Sequence, residues 1–399
     1  MKHKLLSTTL LLIGTLFILS GCSHSANKIV KTNTKTKQSS SPKKHNKKKI
    51  DKITRILNKM TLDEKLGQLY FAHSTGNFDQ MKQDVKKYHL GGITLFAPDF
   101  TNRTHAKFLN EIRAYQSNSK FGLLIATDQE GGTVTRIDSN SQISKRHFPS
   151  PAEIYQQSGL TGIRKEDSTV AKILRQNGIN MNFAPVADVA LNKDSFIYKR
   201  TLEQDYQTTA KYIPIAVKAI QQEHVASCLK HFPGYGDAAD THTGFAQINK
   251  PLLKYQTNDL LPFKTGIHAG VDSIMVSHII IKSIDTTKPA SLSPAVHYLL
   301  RHSLNYHNII ITDDLQMGAI TQYANKYHTI PDILALKAGN DMLLGGNYRA
   351  NIPIIKKAIQ NNEINIKKIN QSVERILRLK EKLGILRKKL QAFRLEAFH

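Results

Sequence analysis

The stretch of this chain densest in reactive side chains is "KHFPGYGDAADTHTG", running from Lys230 to Gly244. A run broken by three glycines and a proline suits neither a helix interior nor a central strand, so it is predicted to be a loop. His242 follows Asp240 by two positions, close enough for the carboxylate to orient the imidazole and raise its basicity. An imidazole so held can protonate a leaving group and later deprotonate water. Gly234, Gly236 and Gly244 suggest a loop free to swing over a substrate. A second stretch, "IIITDDLQMGAI", puts Asp313 directly after an apolar run, where a rigidly held carboxylate is suited to attack an electrophilic sugar carbon. Its neighbour Asp314 is expected to act as a helix cap or support.

Other polar groups could hold the substrate. In "TDQEGGTVTR", Asp128 offers a carboxylate for sugar hydroxyls and Arg136 a cation; Arg200 and the pair Lys230–His231 could serve from neighbouring loops, with His278 closing "IMVSH". His231, His242, His278 and Asp313 are also residue types that bind zinc, but the chain has no closely spaced histidine pair on its first strand and no HExxH motif. Chemistry without metal or cofactor is therefore expected. Cys228, inside "VASCL", reads as a small buried hydrophobe.

Something must bring these scattered groups together. Eight short apolar runs recur along the chain: 68–72, 92–96, 123–127, 181–185, 226–230, 273–277, 309–312 and 342–345. They lack polar alternation, as strands covered on both faces should, and the gaps between them are long enough for helices. One helix opens at Thr61 and Glu64, spaced as a capping box, with Leu62, Leu66 and Leu69 sharing a face. The pattern predicts a (β/α)₈ barrel, with a doubly wound open sheet as the alternative; no glycine-rich dinucleotide fingerprint follows any run. A barrel builds its active site at the C-terminal ends of its strands. Asp128, Asp188, Lys230, His231, His278 and Asp313 all follow or end such runs.

The 399 residues are 40% hydrophobic, enough for a large core. Residues 1–22 read as a secretory signal: Lys2 and Lys4 precede an apolar run from Leu5 to Leu19, and "LSGC" resembles a bacterial lipobox in which Cys22 becomes the lipidated first residue. Residues 23–49 hold nine lysines and no acid and contribute heavily to the formal charge of +25, so they are expected to be a flexible basic tether. The barrel is expected over 50–388, with a short tail at 389–399. These features imply an extracytoplasmic lipoprotein anchored to the membrane, with anionic surface polymers as possible partners of the tether. Nucleic acid is excluded as a partner, since no aromatic-interleaved basic motif is present.

Taken in order, "DQEGGTVTR", "NFAPVADV", "KHFPGYG" with "DTH", "IMVSH", "PASLSP", "TDDLQMGAI" and "AGNDMLL" resemble the β-N-acetylhexosaminidases of glycoside hydrolase family 3, NagZ-type branch. The resemblance implies a retaining hydrolase that removes terminal β-linked N-acetylglucosamine from peptidoglycan or related wall fragments, without a metal. It implies Asp313 as nucleophile, His242 with Asp240 as acid/base, and Asp128, Arg136, Arg200, Lys230 and His231 as sugar ligands. Three departures stand out: a loop one residue shorter with Tyr235 where His is usual, a loose match around Arg200, and no second α/β domain after the barrel. A β-glucosidase or glycoside phosphorylase of the same family, and a wall-binding lipoprotein without catalysis, are the alternatives to be separated by assay.

Overall fold

The computed structural model describes residues 51–74 and 76–386. The signal segment with Cys22, the basic tether and the 389–399 tail lie outside the described residues.

Eight parallel strands form the central sheet: β1 (Tyr70–His73), β2 (Gly92–Leu95), β3 (Leu124–Thr127), β4 (Met181–Asn182), β5 (Ala226–Phe232), β6 (Ser273–Val276), β7 (Ile309–Thr312) and β8 (Leu343–Leu344). They pair in chain order from β1 to β7, and β8 returns to pair with β1. The ring is completed between β7 and β8, where the Thr312 N–H donates to Met342 O at 3.1 Å and Ile311 bridges to Met342. This is the (β/α)₈ barrel expected from the apolar runs, each of which overlaps one strand. Every strand residue except His73 is buried, which accounts for the missing alternation.

Local chemistry sets the element boundaries. The Thr61 hydroxyl accepts the Glu64 N–H at 3.2 Å while the Glu64 carboxylate accepts the Thr61 N–H at 2.9 Å, so the capping box starts the helix Leu62–Gln68 that leads into β1. Gly92 opens β2 because a Cβ there would lie 2.8 Å from the Phe71 ring, which meets Phe183 edge-on in the core. The last helix, Ile366–Lys382, fastens the lower face: Lys380 Nζ donates to Gln68 Oε1 at 2.6 Å and to Gly122 O at 2.7 Å. Just before β8, Asp341 accepts from Arg301, Arg375 and Ser372. No helix among the described residues is long and apolar enough to cross a membrane.

Candidate active site

The upper ends of β3, β4 and β5 share a buried network of charges. Lys230, 1% exposed, donates to Asp128 at 2.7 Å and lies 2.6 Å from Glu130. Glu130 in turn receives Arg200 through two hydrogen bonds, 2.9 Å from Nε and 2.8 Å from a terminal nitrogen. Burial pushes the Glu130 carboxyl up, but Arg200 and Lys230 outweigh it and hold the carboxyl far below its ordinary range. Burial likewise opposes the Lys230 charge, and Asp128 with Glu130 more than offsets that, keeping the ammonium raised. The strand ladder is irregular between Leu229 and Phe232. Strict alternation would point neighbours to opposite faces, and that break lets Lys230 and His231 both serve the mouth.

His231 is set by Asp188, which is fully buried. One Asp188 oxygen lies 2.6 Å from His231 Nδ1 and accepts the His231 N–H at 3.0 Å; the other accepts the Tyr235 N–H at 2.6 Å. Because a carboxylate only accepts, Nδ1 carries the proton and Nε2 faces Arg200 at 3.4 Å. Arg136 is partly exposed and donates to the carbonyl of Thr135, with no carboxylate partner among the described residues. Its loop is folded back by the Gln129 side chain, whose oxygen accepts the N–H groups of Arg136 and Ile137.

Asp313 leaves β7 with its N–H on Val276 O at 2.9 Å, and one of its carboxylate oxygens accepts the Asp314 N–H at 2.9 Å. Burial pushes this carboxyl up, but His231, His278, the Asp314 N–H and Lys230 together hold it below its ordinary value. It is therefore ionised at neutral pH. Of the two roles expected of Asp314, cap or support, the structure shows the second: the helix Gly318–Tyr327 is preceded by Met317, and Asp314 accepts the Gln316 N–H and faces His73 Nε2 at 3.0 Å. It supports the turn.

His278, expected to be a sugar ligand, has both ring nitrogens bonded within the protein. Its Nε2 lies 2.8 Å from Asp314 O and its Nδ1 2.8 Å from the Ser291 hydroxyl, and the residue is 1% exposed. A carbonyl only accepts, so Nε2 bears the proton and Ser291 donates to Nδ1. Burial lowers the imidazole pKa, favouring this neutral form. Both ring nitrogens are thus engaged within the protein, Nε2 on the Asp313–Asp314 turn and Nδ1 on Ser291. Among the described residues no three metal-binding groups are gathered as a metal site would need.

His242 Nδ1 lies 2.6 Å from Asp240 Oδ1, which also accepts the His242 N–H at 2.9 Å. Its side chain is 55% exposed, and no described residue bonds Nε2. The loop that carries it is pinned, in contrast to the free swing suggested by its glycines. Gly318 N–H donates to His242 O at 3.0 Å, and Ala319 N–H to Thr241 O at 3.1 Å, tying the loop to the helix that follows Asp313. From beneath, the buried Tyr235 hydroxyl accepts the Thr241 N–H at 2.9 Å and lies 2.9 Å from the Thr241 hydroxyl and 3.1 Å from Ala239 O. Burial pushes the Tyr235 phenol up to about 12, with Asp313 and Asp240 both adding to the rise. One phenol thus lies within electrostatic reach of both carboxylates. Gly234 and Gly236 have φ of 121° and 56°, values the turn requires and that side chains other than glycine rarely adopt.

Glu130 and the hydroxyl of Tyr235 were not among the sequence candidates, and Asp188 was placed at the barrel mouth without its role as the partner of His231. Glu130 stands two residues after Asp128 on the same strand end, a spacing that pointed to it. Nothing local marks Tyr235 as the anchor of its own loop.

Residues 61–379 match the family described as Glycosyl hydrolase family 3 N terminal domain. The chain is 32% identical over 332 residues to the Beta-hexosaminidase A of Pseudoalteromonas piscicida, covering 76% of this chain and 55% of that one. It therefore spans about half the length of that relative. It is 30% identical over 234 residues to a Beta-hexosaminidase of Xanthomonas euvesicatoria pv. vesicatoria, covering 58% of this chain and 69% of the other. Among solved structures, a family 3 beta-N-acetylglucosaminidase from Paenibacillus sp. str. FPU-7 superposes with a TM-score of 0.75 at 28% identity, covering 82% of this chain and 63% of that one. M tuberculosis LpqI superposes at 0.74 and 26% identity, covering 82% and 95%. With the family matched over most of its length and the same barrel in solved relatives, the chain belongs to glycoside hydrolase family 3.

Proposed function

We propose that this protein is a retaining glycoside hydrolase that removes terminal, non-reducing β-linked N-acetylglucosamine, with peptidoglycan or related wall fragments as the substrate class. The observation that carries the reading is the pairing of a buried-side, ionised carboxylate with an exposed imidazole: Asp313 stays charged among His231, His278 and Lys230, while the Asp240–His242 pair is tied to the helix beyond it. The names of its relatives favour an N-acetylhexosamine over glucose.

In this mechanism a carboxylate oxygen of Asp313 attacks the anomeric carbon as the bond to the leaving oxygen breaks, and protonated His242 gives its Nε2 proton to that oxygen. The result is a glycosyl ester on Asp313 and a neutral imidazole. Water then gives its proton to Nε2 and its oxygen to the anomeric carbon, freeing Asp313 and restoring the imidazolium. Asp240 holds the Nδ1–H and stabilises the positive ring in both steps. Asp128, Arg136, Arg200, Lys230 and His231 would hold the sugar from the opposite loops.

A panel of aryl β-glycosides tests this, with N-acetylglucosaminide expected to be cleaved and glucoside spared, and with products unchanged by added phosphate. Faster turnover of the glucoside, or a sugar phosphate as product, would replace the reading with a glucosidase or a phosphorylase. No turnover of any glycoside would leave a binding protein. We further read Cys22 as the site of lipid attachment to an extracytoplasmic membrane face, with the lysine-rich tether drawn to anionic polymers. Cys22→Ala should then release the protein from the membrane fraction, and retention of that variant would overturn the anchor.

A further inference from the structure

The loop after β4 places an aromatic ring beside the proposed acid/base. Phe196 meets His242 edge-on, with ring centroids 5.6 Å apart and planes at 61°. On its other sides it touches Tyr235 at 6.0 Å and has the Arg200 guanidinium 6.0 Å from its ring centroid. Phe196 nevertheless remains 40% exposed, although its sequence neighbour Ile197 is fully buried and Tyr235 is only 2% exposed. The ring is held in place: Asn192 N–H donates to Asp237 Oδ1 at 3.1 Å and the Ser195 hydroxyl to Gly236 O at 3.3 Å, tying this loop to the one that carries His242. A large apolar surface left open to water on a fastened loop at the barrel mouth is suited to covering a ligand.

The chemistry says which part of the ligand. A general acid must come within hydrogen-bond reach of the atom it protonates, so the glycosidic oxygen has to sit at His242 Nε2. The sugar being cleaved lies on the Asp313 side of that oxygen. The leaving group lies on the other side, beyond the imidazole. We propose that Phe196 is the platform for a pyranose leaving group, packing its ring against the C–H face of the second sugar. This rests on the assignment of His242 under the proposed function and deepens it. The enzyme would then select glycans in which a further sugar follows the terminal one.

The test compares wild type with Phe196→Ala on N,N′-diacetylchitobiose, whose leaving group is a pyranose, and on methyl β-N-acetylglucosaminide, whose leaving group is methanol. The ratio of kcat/KM values, disaccharide over methyl glycoside, should fall about three- to tenfold in the variant, the scale of one ring contact, and Phe196→Trp should restore it. An unchanged ratio, including equal losses on both substrates, overturns the platform and leaves Phe196 a mere support for His242. Calorimetry in an Asp313→Asn background reads the same contact without turnover: Phe196→Ala should weaken chitobiose binding while sparing N-acetylglucosamine, and equal effects on both overturn the platform. Failure of the hydrolase assignment would show differently, as wild type that binds chitobiose through Phe196 and cleaves nothing.

Discussion

At Glu130 the buried Lys230 and the largely covered Arg200 share one buried carboxylate, and removing its charge leaves both with less compensation. Breaking a buried pair from one side costs about 3–5 kcal/mol, so Glu130→Gln should lower the urea midpoint by that equivalent; a variant as stable as wild type would contradict the network. Tyr235 gives a second prediction. Its hydroxyl is the partner of the buried Thr241 N–H, and Tyr235→Phe leaves that group unsatisfied one residue from the imidazole it helps to place. We expect kcat to fall about ten- to hundredfold with KM little changed, as displacement of a reacting group does. Equal loss in KM would instead point to a sugar contact. These two residues also mark where sequence reading runs short. Asp313, Asp240 and His242 were legible because reactive side chains sat beside strand ends and glycines. The hydroxyl of Tyr235 acts through the backbone six residues on, and that closure depends on how the loop folds over Asp188.

At the scale of elements, the barrel strands were legible because burial on both faces leaves unbroken apolar runs; "IIIT" coincides with β7 from Ile309 to Thr312. The helix Leu62–Gln68 was equally plain, since a capping box is a local contact. The attitude of the β5 loop was not. Gly234 and Gly236 carry positive φ in a fixed turn, and the loop's hold on the helix Gly318–Tyr327 joins residues more than seventy positions apart. That contact predicts the effect of a single methyl. A Cβ on Gly318 would lie 2.5 Å from His242 O, so Gly318→Ala must push the loop away. Alanine otherwise favours a helix by up to about 1 kcal/mol, so the variant should melt close to wild type while kcat falls at least about tenfold. Full activity in a well-folded Gly318→Ala protein would mean the loop need not be docked.

Across the whole molecule, the last helix seals the barrel from below with a lysine. Lys380 is fully buried, and desolvation pushes its pKa down to about 7. In the unfolded chain a lysine titrates near 10.4, so between about 7 and 10 the unfolded state binds more protons and stability rises with pH. Below about 7 both states carry the charge and this contribution is flat. Relative to Lys380→Met, wild type should gain up to about 1.4 kcal/mol per pH unit within that window, read from urea midpoints at pH 7, 8 and 9. Parallel curves would mean Lys380 does not lose its proton on folding. The lysine itself is plain in the sequence, but its partners Gln68 and Gly122 come from the start of the chain and the approach to β3, so its burial emerges only once the barrel closes.

The account turns on a sugar bonded transiently to Asp313, and the most direct measurement is mass spectrometry of the protein during turnover. Asp240→Ala, which leaves His242 a weaker base for the second step, should accumulate that ester when supplied with an activated aryl β-N-acetylglucosaminide. The account predicts a mass gain of one N-acetylhexosaminyl group, carried on the peptide containing Asp313 and released with net retention at the anomeric carbon. A gain on another residue, or turnover that inverts the anomeric centre with no gain at all, would contradict it.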